Sequence, residues 1–342
     1  MIECIFTIDY EIYGNGEGSL KELVYEPTER LREIFEAGGA KFVTFVEAAE
    51  LERIAAENSD RAIADIQRQI LELHECGFEI GLHLHPQWYN ARHEAGTWHL
   101  DYAEYNLCTL PKQRAAEVVD RSLKYLRTVL GDPDFTPLSF RAGNWLFQPA
   151  TTVAEVLHAR GIRIDSSVFK GGVQRRHNLD YRPALKNGYF WRFQNDVNRE
   201  DPEGRLIEMP IHTRMVPFWR MLTAKRVALQ QKSNAAARRR QSNGNPGSTA
   251  QLSDYLRFTY PLKFDFCRMT LREMVELMEK LIEEDRKTPD QLKPLVAIGH
   301  TKDLVDTATV GAFLAWLRTR DIPVSTFKSA LSRVQLARNG CA

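Results

Sequence analysis

Short apolar runs alternate with longer amphipathic segments along nearly the whole chain, and this alternation restricts the fold more than any other feature. "CIFTID", "KFVTFV", "FEIGLHLH", "LSFRAG", "IRIDSSV", "RLIEMPI", "LVAIGHT" and "IPVSTF" read as strands. Between them, "EPTERLREIFEAGGA", "RAIADIQRQILELHECG", "PKQRAAEVVDRSLKYLRTVLG", "TTVAEVLHARG", "TLREMVELMEKLIEED" and "TVGAFLAWLRTRD" carry apolar residues at helical spacing. Repeated strand–helix units imply a mainly parallel sheet, since a helical crossover returns the chain to start each strand at the same end. The number of units suits a closed or nearly closed α/β barrel better than a short open sheet. In such folds function gathers at the carboxyl ends of the strands.

The 342 residues suffice for one large α/β domain, and 43% hydrophobic residues can build its core. The formal net charge of +1 gives no general attraction to nucleic acid or to an anionic membrane. "MIECIFTIDYEIYG" lacks the basic start of a signal peptide, and no run is long enough to span a bilayer, so a cytoplasmic protein is expected. Five dispersed cysteines without a C-x-x-C pair read as reduced thiols. We expect a single barrel over residues 1–342, broken by an insertion at 213–260. The centre of that insertion, "AAARRRQSNGNPGSTAQ", has the composition of a mobile segment.

The polar residues that interrupt the strand ends carry the chemistry. In "FTIDYEI", alternate residues share a face, so Asp9 and Glu11 lie together and Tyr10 points away. Two neighbouring carboxylates repel and call for a metal, an arginine or a shared proton. "LHLH" places His83 and His85 on one face with α-carbons roughly 7 Å apart, close enough for two imidazoles to converge on one ion. Pro86 lacks the N–H of an inner strand, so the chain turns there. "SFRAGNW" sets Arg141, a fork suited to orienting a carboxylate, near a strand end, with Asn144 and Trp145 beyond it. Trp88, just after the histidine pair, joins them as a candidate substrate-binding residue. Asp165 follows another apolar alternation. His300 ends a nearly continuous apolar strand and is a candidate acid or base.

The ordered set "TIDYE", "EIGLHLH", "FRAGNW", "IDSSV" and "AIGH" resembles the polysaccharide deacetylases of carbohydrate esterase family 4, the NodB-homology fold. The resemblance runs from about Ile2 to Phe327, apart from the insertion. It implies a distorted (β/α) barrel, a divalent metal that is commonly zinc, and hydrolysis of an N-acyl group on a carbohydrate. By position it makes Asp9 the catalytic base and Arg141 the residue that positions it. It makes His300 the general acid and Asp165 the group that orients His300. Glu11 and His83 match metal ligands. Here Tyr10 separates two acids that are usually adjacent. Gln87 stands where the second histidine usually falls, four residues after His83. Glutamine is a weak ligand beside imidazole, so His85 is expected to complete the set. Two other readings compete: another barrel metal hydrolase acting on amides or phosphoesters, and a sugar-binding homologue without catalysis.

Overall fold

The computed structural model describes residues 1–229, 231 and 258–339. One nine-stranded sheet dominates it. Its strands are β1 (Ile2–Tyr10), β2 (Val43–Glu47), β3 (Glu79–Leu84), β4 (Ser139–Ala142), β5 (Ile164–Asp165), β6 (Trp191–Phe193), β7 (Leu206–Glu208), β8 (Lys293–His300) and β9 (Val324–Ser325). They run in the order β6-β7-β5-β4-β3-β2-β1-β8, with β9 beside the start of β1. Only the β6–β7 pair is antiparallel. Beyond β7, Ile211 forms a parallel bridge with Val296 of β8. The two ends of the sheet therefore meet, and the sheet curls into the distorted barrel that the alternation predicts.

The two faces of β1 show how period 2 divides the core. Cys4, Phe6, Ile8 and Tyr10 belong to the large cluster under the outer helices. Ile5 belongs to a separate cluster with Val43, Phe45, Ile164, Ile207 and Val296, which fills the barrel. Asp9 continues this inner face, while the Tyr10 hydroxyl bonds outward to Gln69 Oε1 at 2.6 Å.

The helices are α1 (Glu26–Ala37), α2 (Ala48–Glu57), α3 (Ile63–Glu75), α4 (Lys112–Leu130), α5 (Thr151–Ala159), α6 (Leu271–Asp285), α7 (Thr307–Thr319) and α8 (Phe327–Asn339). Thr270 and Glu273 form a reciprocal capping box at the start of α6. At the amino end of the barrel, α8 sets Phe327 edge-on to Phe45, with ring centroids 5.9 Å apart. Arg333 of α8 pairs with Glu3 at the start of β1. That end is sealed, so access is left to the carboxyl ends of the strands.

Three elements of the barrel were not legible in the sequence. Helix α2 follows β2 with no turn residue between them, because Glu47 both ends the strand and caps the helix. Strand β6 has only three residues. Helix α8 starts directly after the last strand. The expected insertion begins and ends as a two-stranded ribbon, Thr213–Pro217 paired with Thr259–Lys263. Its centre, including Arg238 to Arg240, lies outside the described residues. Among the described residues no helix is long and apolar enough to cross a membrane.

Candidate functional site

The carboxyl ends of β1, β2, β3, β4 and β8 converge on one cavity. Strand register aligns Asp9 with His300, Glu47 with His83, and His83 with Arg141. A hollow of about 170 Å³ is lined by Asp9, Glu11, His83, His85, Asn144, Trp145, His300 and Lys302, with Gly14 at its edge. Larger hollows of about 380 and 420 Å³ lie elsewhere. Among the described residues, however, the groups of three or more possible metal-ligand atoms lie only here: Glu11, Glu47, His83 and His85, and Asp9, Glu11 and His300.

Asp9 is held from two sides. Arg141 Nη1 donates to its Oδ1 at 2.6 Å, and His300 Nε2 lies 3.3 Å from Oδ2. Burial alone would raise the Asp9 pKa, but Arg141, His83 and His300 outweigh it and hold the carboxyl below its ordinary range. Arg141 is itself locked. Its Nε donates to the Ser166 carbonyl at 2.9 Å, and its guanidinium lies 4.2 Å from the Phe45 ring centre.

Glu11 faces both imidazoles. Its Oε2 is 3.4 Å from His83 Nε2 and 3.2 Å from His85 Nε2. Its Oε1 accepts from Lys302 Nζ at 2.7 Å. Burial opposes ionisation of Glu11, yet Lys302 and the two histidines keep its pKa well below the usual carboxylate value. Lys302 was not singled out in the sequence, because a lysine two residues past a strand is ordinary on a surface. Glu47 was also missed; it is wholly buried, and burial pushes its carboxyl up to about 7.

The donor set fits a divalent cation. The Arg141 carbonyl lies 2.9 Å from His83 Nδ1 and accepts its proton, which leaves Nε2 free to ligate. Burial disfavours a charged His83, but Asp9 and Glu11 overcome it and lift the imidazole to about 9. The same field attracts any cation placed there. Beside His85 Nδ1, Gln87 Oε1 is a buried acceptor without a partner, and the Gln87 amide nitrogen is 3.3 Å away. Turning over both that amide and the Asn144 amide, whose nitrogen also lies 3.2 Å from this atom, would give Nδ1–H its acceptors and free His85 Nε2 toward Glu11.

Other expected residues fall differently. Trp88 is a correction: it is buried against Trp98, with ring centroids 5.2 Å apart, and packs in the core instead of lining the cavity. Gly16 lies in this packing, because a Cβ there would come within 2.7 Å of Trp98 Cβ, at a φ of +81°. Asp165 faces Ser167, whose hydroxyl donates to it at 2.7 Å, and lies opposite Glu208 in the sheet. The carboxylate beside His300 Nδ1 is Asp303, at 4.0 Å. Burial outweighs the attraction of Asp9 and pulls His300 down to about 4.

Asn144 and Trp145 both adopt left-handed backbone, with φ of 53° and 59°. Such strain at non-glycine residues persists only where the surroundings impose it. Here it brings Asn144 Nδ2 to 3.2 Å from His85 Nδ1 and the Trp145 ring to 6.1 Å from the His300 ring. Gly143, just before them, leaves room for His85: a Cβ there would meet His85 Cγ at 2.6 Å and the Leu84 carbonyl at 2.8 Å. Gly143→Ala is therefore expected to displace the His85 ring and to destabilise the fold by about 1–3 kcal/mol, measured by urea denaturation. Unchanged stability would mean that the ring moves freely.

No family model matches the sequence, and no curated protein matches it. Solved structures do match the fold. A protein assigned to the polysaccharide deacetylases, from Mycobacterium smegmatis, is similar over 98% of this chain and 91% of its own, at 15% identity and a TM-score of 0.51. Puue allantoinase is similar over 98% of this chain and 89% of its own, at 13% identity and a TM-score of 0.50. A GH57 branching enzyme from Thermococcus kodakaraensis is similar over 97% of this chain and 71% of its own, at 12% identity and a TM-score of 0.55. The fold is thus the curled α/β barrel of the polysaccharide deacetylases, as the motif order implies. At these identities the likeness extends to the fold alone.

Proposed function

We propose that the protein is a metal-dependent hydrolase that removes an acyl group, acetyl in the first instance, from the nitrogen or oxygen of a carbohydrate. The observation that carries this reading is the Asp9 carboxylate, held between Arg141 and His300 at the edge of a Glu11–His83–His85 donor set. Glu11, His83 and His85 would hold the ion. The chemistry such an ion supplies when bound is Lewis-acid polarisation of the acyl carbonyl and of the attacking water.

The remaining work falls to the chain's own groups. Asp9, kept ionised by Arg141, accepts the water proton at Oδ2, the oxygen that faces His300. His300 is neutral in the buried site, with Nε2 facing Asp9 Oδ2. It takes up the proton that Asp9 received from water and hands it from Nε2 to the departing nitrogen, which leaves poorly unless protonated, so that the imidazole ends neutral again. Asp303 is the nearest carboxylate to the far side of the His300 ring, so we assign it the positioning role that the resemblance gives to Asp165. Trp145 and Asn144 line the rim and would contact the sugar. The proposed partners are a carbohydrate substrate and a divalent metal, with zinc the first candidate.

The test measures metal content and N-deacetylation together. Purified protein should hold close to one divalent ion, and release of acetate from N-acetylated sugars should stop on chelation and return on adding zinc. Protein whose activity on such substrates ignores chelators would sink the reading. The allantoinase likeness makes cyclic and linear non-sugar amides the necessary parallel assay. Turnover of these alone would move the substrate class away from carbohydrate.

A further inference from the structure

We infer that Glu47, at the end of β2, is a further ligand of the metal, so that two carboxylates and two imidazoles build the centre: Glu11, Glu47, His83 and His85. The inference rests on the metal-dependent reading above and adds a residue that the motif resemblance does not contain.

The geometry separates the two oxygens of Glu47. Oε1 accepts from the backbone N–H of Ala49 at 3.2 Å and of Glu50 at 3.4 Å, and so caps α2. Oε2 is buried and has no hydrogen-bond partner. Glu47 offers a ligand atom within 4.8 Å of those of Glu11, His83 and His85. Its strand register, opposite His83, fixes the side chain on the same inner face.

Capping does not explain this residue. Helix N-caps favour Ser, Thr, Asp and Asn, whose short side chains reach the first N–H groups. A glutamate there, with one oxygen capping and the other buried without a hydrogen-bond partner, needs a second reason.

The charge pattern supplies it. Arg141 answers Asp9, and Lys302 answers Glu11. Among the described ion pairs none involves Glu47, although it is wholly buried. A buried carboxylate must be paired, protonated or bound to a metal. Its neighbour Glu50 is also buried, and its Oε1 accepts from the Ile12 N–H at 2.9 Å, but it is not among the converging ligand atoms. With Glu11 and Glu47 both bound, a dication is neutralised at the centre. The added hard oxygen also widens tolerance from zinc toward manganese.

The experiment titrates Zn²⁺ and Mn²⁺ calorimetrically into metal-stripped wild type, Glu47→Gln and Gln87→Ala. Glutamine at 47 keeps an oxygen for the helix cap and removes the charge. We expect Glu47→Gln to weaken zinc binding beyond the roughly 10–100-fold that loss of a mere supporting partner costs. Gln87→Ala should change it less than Glu47→Gln does. The metal-free Glu47→Gln protein should melt no lower than metal-free wild type. Zinc binding as tight as wild type in Glu47→Gln overturns the inference and leaves the metal-dependent reading intact. Wild type that binds neither ion overturns both. Zinc-soaked wild-type crystals decide the matter independently of any variant. An anomalous peak about 2.0–2.2 Å from Glu47 Oε2 supports the inference, and a peak bonded to Gln87 with Glu47 beyond reach overturns it.

Discussion

Asp9→Asn should lower turnover by roughly 10²–10⁴-fold, the usual contribution of a positioned acid–base group, while metal content stays at the wild-type level. Asparagine has nearly the same shape and can still accept the Arg141 hydrogen bond through its oxygen, but it cannot take a proton at neutral pH. The proposed metal ligands are not touched. A variant that retains most of the wild-type turnover would remove Asp9 from the mechanism. A variant that loses the metal would instead show that Asp9 belongs to the ligand set. The same change should alter acid stability. Arg141 and the histidines hold Asp9 below its ordinary pKa against the effect of burial. A depressed folded-state value means that the native carboxylate resists protonation. Its contribution is complete above the unfolded value of about 3.9 and is lost as pH falls through the lower folded value. Asp9→Asn should flatten the acid side of the stability profile in that window.

Arg141→Met should destabilise the fold by about 3–5 kcal/mol, because it strands the Asp9 carboxylate without its partner in the interior. Arg141 is fully buried, and its Nη1 lies 2.6 Å from Asp9 Oδ1. The loss extends to the hydrogen bonds on the Ser166 carbonyl and hydroxyl, at 2.9 and 3.2 Å. Methionine fills much of the space, so a cavity does not dominate the effect. The double variant Asp9→Asn/Arg141→Met removes both charges and should recover part of the deficit. Urea denaturation of the four proteins closes the cycle, and a coupling energy within about 0.5–3 kcal/mol is expected for groups in contact. Strict additivity would show that the pair is not coupled. In that case Arg141 would serve packing instead of the base.

The barrel was readable because its cause is local. Strands such as Ile2–Tyr10 and Lys293–His300 are buried along their whole length and so appear as nearly unbroken apolar runs. Shorter elements lacked that signal. Trp191–Phe193 spans three residues, and Ala48–Glu57 starts at the residue that ends a strand. The site divides in the same way. Asp9, Glu11, His83, His85, Arg141 and His300 stand out because each polar side chain interrupts an apolar alternation. Glu47 ends "VTFVE" without such contrast, since acids and alanines continue into the next helix. Trp88 was misplaced because an aromatic after a histidine pair looks the same whether it faces a ligand or Trp98.

The sequence by itself determined the alternation, the inner face of each strand and the order in which polar residues reach the strand ends. Side-chain period and turn chemistry are properties of a few consecutive residues. Only the tertiary structure decided which of those ends meet. It brought Asp9, Arg141 and His300 together across β1, β4 and β8, set Lys302 and Glu47 beside Glu11, and turned Asp165 toward Glu208 instead of His300. Those pairings depend on sheet curvature and strand register between residues far apart in the chain.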